Sequence, residues 1–226
     1  MESNITEAII LCGGLGTRLR KVFPDKAKSM VEIEGKPILY HIIKALREDG
    51  IKRVVLAVGY KSEEIRNYFE HEYHSISNLS ADRSPELDIE IVYSEENTPL
   101  GTGGAIRQAL NMVKTPQVLI CNADTIITFP VYRMVDMQGN LDENHIYALY
   151  GNAIQNDHES ISNVFTGVYV FPTKDAYLLD GETPFNLDDS LMQSPNLIKI
   201  YSDYHFLDIG TEERYFTSQR EHYSKY

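Results

Sequence analysis

A three-layer α/β sandwich around a mostly parallel central sheet is predicted by two regularities of the chain. Short apolar runs rich in β-branched residues recur at Ala8–Leu11, Arg53–Val58, Ile89–Tyr93 and Gln117–Cys121. Between them lie segments with helical spacing, at Pro37–Glu48, Ser62–Glu70 and Gly103–Val113. Strand and helix alternating at this interval give parallel strands joined by right-handed crossovers. Uninterrupted apolar strands are expected where helices cover both faces of the sheet.

Each element carries its own signal. Pro37 presets the backbone for a first helical turn, and Ser62 is a candidate N-cap. Past residue 125 or so the alternation loosens. His145–Tyr150, Val164–Phe171 and Leu197–Tyr201 still read as strands, and Thr211–Tyr223 as a closing helix. The polar, turn-rich stretch His74–Glu86 reads as a loop. With 226 residues, 42% of them apolar, the chain fits one domain with a sizeable core.

Composition excludes several functions. A net charge of −12 gives no basic field for nucleic acid. No run approaches the roughly 20 apolar residues of a membrane span, and Met1-Glu2-Ser3-Asn4 does not begin a secretory leader. Cys12 and Cys121 each end an apolar run and read as buried thiols of a cytoplasmic protein. The seven histidines lack metal-ligand spacing, His71 and His74 included. Tyr60, Tyr68 and Tyr73 read as packing residues.

Chemistry enters where the first strand ends. In open α/β sheets ligands bind at the carboxyl ends of the strands, and there the chain reads Cys12-Gly13-Gly14-Leu15-Gly16-Thr17-Arg18-Leu19-Arg20. The glycines allow a sharp turn and let N–H groups approach an anion with no Cβ in the way. Arg18 adds a planar fork of donors suited to phosphate oxygens. A triphosphate is the natural guest; a tight turn with incidental arginines is the other reading. The stretch matches neither a dinucleotide fingerprint, which needs glycine where Leu19 stands, nor a Walker A loop.

Gly13-Gly14-Leu15-Gly16-Thr17-Arg18-Leu19 followed by Lys26-Ala27-Lys28-Ser29-Met30-Val31 resembles the signature of the sugar-1-phosphate nucleotidyltransferases. The likeness continues through Gly35-Lys36-Pro37-Ile38-Leu39, Pro99-Leu100-Gly101-Thr102-Gly103-Gly104-Ala105, Asn122-Ala123-Asp124-Thr125 and Leu207-Asp208-Ile209-Gly210-Thr211. Within that family the Leu-Gly-Thr-Gly-Gly-Ala form is most similar to the D-glycero-alpha-D-manno-heptose 1-phosphate guanylyltransferases, and also to the mannose-1-phosphate guanylyltransferases.

The resemblance implies a Rossmann-like nucleotidyltransferase fold, with a nucleotide half to about residue 125 and an acceptor half over 126–226. It implies attack of a sugar 1-phosphate oxygen on the α-phosphorus of a nucleoside triphosphate, with loss of pyrophosphate, in the service of sugar nucleotide and polysaccharide biosynthesis. Positioning and electrostatics carry most of such a reaction. By the same resemblance Arg18, Lys28 and Asp124 are the catalytic set. Leu11, Gly13, Gly14, Gly16, Thr17, Arg18, Glu96, Gly101 and Thr102 hold the nucleotide. Asn122, Gly167 and Asp208 meet the acceptor, and Asp124 and Asp208 hold Mg²⁺.

Base choice is read from residue chemistry. The glycines after Glu95-Glu96-Asn97-Thr98 leave room for a base, and the following helix N-terminus adds positive potential. An inward Glu96 can accept from N1–H and N2–H₂ of guanine, which uracil and thymine do not offer; a solvated acidic turn is the alternative.

Two departures stand out. Ala27 and Ser29 flank Lys28 where the signature usually has proline. Tyr150–Thr166 holds no lysine or arginine, and Phe165-Thr166-Gly167 stands where relatives have an Asn-Gly sugar contact, so the sugar-side hairpin is expected to be reduced. Three readings remain: a transferase whose acceptor is held by Arg107, Lys199, His205 or the neighbouring subunit of a homodimer; a transferase for a different phosphorylated acceptor; and a nucleotide-binding regulatory homologue.

Overall fold

The computed structural model describes residues 5–14, 16, 19, 22–72, 87–127, 141–156, 159–179, 182–187, 191 and 194–220. Its first strand, β1 (Glu7–Leu11), is apolar on both sides and leads into the glycine turn. A short helical turn at Lys28–Met30 precedes a two-strand ribbon, β2 (Glu32–Ile33) and β3 (Lys36–Pro37). Helix α1 (Ile38–Glu48) starts one residue after Pro37, which belongs to β3, and buries Ile38, Leu39, Ile42, Ile43 and Leu46 along one stripe.

Strand β4 (Arg53–Val58) is buried throughout and is followed by α2 (Ser62–Arg66). The helix predicted over Ser62–Glu70 therefore stops early and widens into a looser turn over Asn67–Glu72. Ser62 is its first residue and makes no capping bond: its hydroxyl donates to Glu95 instead. Next come β5 (Glu90–Glu95), α3 (Gly101–Leu110), β6 (Gln117–Asn122) and β7 (Thr125–Ile127). The second half supplies β8 (Ile146–Asn156), β9 (Glu159–Pro172), β10 (Leu197–Asp208) and α4 (Glu212–Arg220). The loop expected over His74–Glu86 lies outside the described residues, apart from where its sequence runs on into Leu87.

Eight strands form one sheet in the order β5-β4-β1-β6-β9-β8-β10-β7. β5, β4, β1 and β6 are parallel neighbours, and β8 and β10 are parallel to each other. Only β9 and β7 oppose the rest. Successive residues of β1 point to opposite faces, as the two-residue period of a strand requires. Ala8 and Ile10 join the core under α1 and α2, and Ile9 joins the core under α3. The sandwich has three layers because every central strand feeds two cores.

The hairpin expected to be reduced has a short connection but is well paired. β8 and β9 pair from Tyr147↔Val170 to Asn156↔Glu159, with register shifts between Ala148 and Tyr150, Gly151 and Ala153, and Ile154 and Asn156, and both strands extend beyond their predicted ends. Their polar outer halves, such as Gly151-Asn152 and Ser160, conceal the strand period in the sequence.

At the amino ends of the parallel strands, Glu7, Arg53 and Glu90 stand in register on three neighbours. Arg53 donates to Glu7 at 2.9 Å, to Glu90 at 3.0 Å and to the Met112 carbonyl at 2.7 Å. The opposite rim carries the candidate site.

Candidate functional site

β1 and β6 are parallel neighbours, with Leu11 paired to Asn122, so the glycine turn and the Asn122-Ala123-Asp124 turn leave the sheet side by side. Between them opens a cleft of about 310 Å³, lined by Leu11, Gly14, Gly16, Lys28, Thr102, Asn122, Asp124 and Gly210 among others. Gly14 has no neighbour within 4 Å of where a side chain would start, which leaves its backbone bare. Gly16 is needed twice over: its φ is +57°, and a Cβ there would sit 3.0 Å from the stem of Lys28. Thr17 and Arg18 lie outside the described residues.

Lys28 crosses from the loop to donate to Asp124 Oδ2. Its ammonium also lies 3.0 Å from the Cβ position of Gly210, beside Asp208 Oδ1 at 2.7 Å from the same point. Asp208 pairs with Thr125 across β10 and β7, and the N–H of Ile209 donates to the Asp124 carbonyl at 2.9 Å. The two aspartates expected to share a metal therefore sit on adjacent chain segments, with the lysine between them. Both offer hard oxygen donors at a partly exposed cleft, the donor set Mg²⁺ accepts while keeping positions for phosphate oxygens. The residues present fit that ion.

A second cleft of about 280 Å³ shares Asn122 and Asp124 with the first and continues along Thr166, Gly167, Phe165 and Asp208 to Arg214. Gly167 has φ +80° and its Cα faces the Asn122 amide, so this glycine makes room for Asn122. The two clefts meet at Asn122 and Asp124.

Other expectations change. Gly101 and Gly103 do not open space for a ligand: Phe185 fills it, its backbone against Gly101 and its ring against Gly103. The segment 182–187 crosses the start of α3, where Phe185 exchanges backbone hydrogen bonds with Leu100 and Gly103. The Thr102 hydroxyl accepts from the Leu187 N–H at 2.9 Å while its residue lines the first cleft. Glu96 does turn inward, but it is not among the lining residues of that cleft. It backs the glycine turn, with Oε1 at 2.7 Å from the Cβ position of Gly13, and Oε2 accepts from the Leu100 N–H at 3.1 Å. Burial pushes its carboxyl above the usual range, against the pull of that N–H.

Arg107, Lys199 and His205, named as substitutes for the missing sugar-side lysine, do not line the second cleft among the described residues. Arg107 donates to the Leu179 carbonyl and Lys199 lies over the Tyr150 ring. The cation that does line it is Arg214, which sequence reading missed. Its neighbours Glu212 and Glu213 make it look like part of a solvated helix face. The usable signal was its place one turn into a helix that starts just after Asp208. Ser29, where the signature has proline, is buried, and its hydroxyl has no hydrogen-bond partner among the described residues.

Cys12 also lines the first cleft. Burial pushes its thiol well above the usual range, and Cys121 and Asp124 push the same way. The protonated thiol is no nucleophile. No group of three or more metal-ligating side chains forms among the described residues, and no described helix is long and apolar enough to cross a membrane.

A family model described as nucleotidyl transferase matches residues 7–161. D-glycero-alpha-D-manno-heptose 1-phosphate guanylyltransferase of Aneurinibacillus thermoaerophilus is 33% identical over 95% of this chain and 97% of its own length. The protein of that name from Campylobacter jejuni is 34% identical over 93% and 97%. Among solved structures, HddC from Yersinia pseudotuberculosis superposes with a TM-score of 0.73 at 24% identity, covering 96% of this chain and 99% of that one. The two structures share the mostly parallel sheet with flanking helices.

Proposed function

The chain belongs to the nucleotidyl transferase family, and we propose that it joins a nucleoside monophosphate from a triphosphate to a sugar 1-phosphate, releasing pyrophosphate. GTP with a heptose or mannose 1-phosphate is the favoured pair, since the relatives similar over nearly the whole chain are named for guanylyl transfer to a heptose 1-phosphate. The observation that carries this reading is the Lys28–Asp124 pair at the junction of two clefts.

Residues up to about 125 bind the triphosphate and residues 126–226 the acceptor, within one domain of a cytoplasmic protein. Backbone amides of the turn through Gly13, Gly14 and Gly16, with Thr17 and Arg18, cradle the β- and γ-phosphates. Lys28 leaves Asp124 for the α-phosphate, where its charge offsets the repulsion between two polyanions. Asp124 and Asp208 would hold Mg²⁺, which supplies charge neutralisation at the reacting phosphorus. Asn122 and Gly167 shape the wall along which the acceptor phosphate reaches in-line geometry. No covalent intermediate is needed, and the protonated Cys12 does not offer one.

The test is pyrophosphate release with GTP, ATP, CTP, UTP and dTTP against a panel of sugar 1-phosphates. Turnover with at least one pair is expected, with GTP preferred. Tight nucleotide binding with no release for any acceptor would instead support a regulatory binding protein.

Glu96 is the proposed acceptor for the guanine edge, which its carboxylate meets by leaving the Leu100 N–H and its place behind Gly13. Glu96→Gln is expected to lower kcat/KM for GTP about tenfold while leaving CTP and UTP nearly unchanged. Because the Glu96 carboxyl titrates above its ordinary range, GTP preference should fade on acidification sooner than for an ordinary carboxylate. Equal losses for every base would reduce Glu96 to a prop for Gly13.

A further inference from the structure

Arg214 reaches back from the first turn of α4 to the end of β10, where Nη1 donates to Asp208 Oδ2 at 2.6 Å. It is the one lysine or arginine lining the second cleft among the described residues; the rest of the lining is the carboxylates Asp124 and Asp208, the neutral polar Asn122, Thr125 and Thr166, and apolar groups such as Phe165. A phosphate monoester entering there approaches Asp124 and Asp208 with close to two negative charges of its own. It requires a cation on that path.

We propose, resting on the transferase reading, that Arg214 is the clamp for the acceptor phosphate and that Asp208 holds it until a divalent cation claims that carboxylate. As the side chains stand, Asp208 is fully engaged: Oδ1 accepts from the Gly210 N–H at 2.7 Å and Oδ2 from Arg214. A guanidinium and a divalent ion compete for Oδ2 because like charges repel strongly at contact distance. Once displaced, Arg214 still faces the cleft it lines, and its planar fork matches two phosphate oxygens at once. The charge missing from residues 150–166 is thereby supplied from α4. Loading the metal and arming the clamp become a single event.

The test compares Arg214→Gln, Arg214→Lys and Asp208→Asn. Binding of Mn²⁺, followed by the electron paramagnetic resonance of the free ion, is expected to tighten about three- to fivefold in Arg214→Gln, since a competing partly exposed ion pair is removed. Asp208→Asn should lose that binding. In turnover, KM for the sugar 1-phosphate that supports release should rise at least about tenfold in Arg214→Gln, with KM for the triphosphate unchanged and partial recovery in Arg214→Lys. Opposite signs for metal and acceptor separate a handover from a merely structural residue, whose loss would weaken both. Weaker or unchanged Mn²⁺ binding, or a wild-type acceptor KM, overturns the proposal. The manganese arm needs no turnover: tighter binding in an enzyme that uses no sugar 1-phosphate supports the handover and places the fault with the transferase reading.

Discussion

Asp124→Asn is expected to slow pyrophosphate release by about a thousandfold, or ~4 kcal/mol of barrier. The change is nearly isosteric, and the bond that ties this turn to β10 runs from the Ile209 N–H to the Asp124 carbonyl, so the backbone has no reason to move. What disappears is a charge at the place where the two clefts meet. Lys28 loses its partner, and the proposed metal loses one of two carboxylates. Melting temperature and triphosphate affinity should stay close to wild type while release collapses. A variant that folds and keeps a tenth of the activity would remove Asp124 from the chemistry.

The second large effect lies at the far rim and concerns stability. Arg53→Met is expected to cost about 3–5 kcal/mol, because it leaves Glu7 buried without its charge partner. Glu7 is 4% exposed and Arg53 8%, so neither is screened by water as a surface pair is. Urea denaturation should show the loss, and Glu7→Gln added to Arg53→Met should recover part of it.

The pH dependence follows from the same network. Burial works against the ionised Glu7, but the Lys114 N–H, the Arg53 guanidinium and Thr115 outweigh it and hold the carboxyl below its ordinary 4.5. This contribution is present in full above pH 4.5 and is lost as pH falls through the lower, folded value. Removing Arg53 should move the acid transition upward. An acid transition at the wild-type pH in Arg53→Met would show that the donors from Lys114 and Thr115 suffice.

Much of this molecule is written in its apolar periods. β1, β4 and β6 are visible because both their faces are covered, so nothing polar interrupts them. The hairpin of β8 and β9 was half hidden because its outer residues face solvent and carry asparagine and serine. The sequence places the start of α3 at Gly103, two residues late, because Gly101 reads as loop. Gly101 and Gly103 lie within the helix to admit Phe185, a partner more than eighty positions away that no local pattern announces.

The site divides in the same way. Lys28, Asp124 and Asp208 were named through the family resemblance; Asp124 and Asp208 follow strand ends at the ligand rim, whereas Lys28 lies in the short turn Lys28–Met30, where the residues alone read as solvated surface. Arg214 was not, because its contribution depends on the angle at which α4 leaves β10. For Glu96 the sequence leaves an inward turn and a solvated acidic turn both open, because its position behind Gly13 depends on how closely β4, β5 and the glycine turn pack.

The seating of β9 between β6 and β8 has a consequence for how the chain is made. Until β9 has left the ribosome, Gln117–Asn122 is an unpaired border of an otherwise finished parallel sheet, and the segment 182–187 has yet to arrive over α3. An incomplete nascent chain of this kind offers a sticky template for other chains. Truncation after residue 125 should therefore yield aggregate rather than a nucleotide-binding fragment, and slow synthesis through residues 126–172 should increase demand for chaperones.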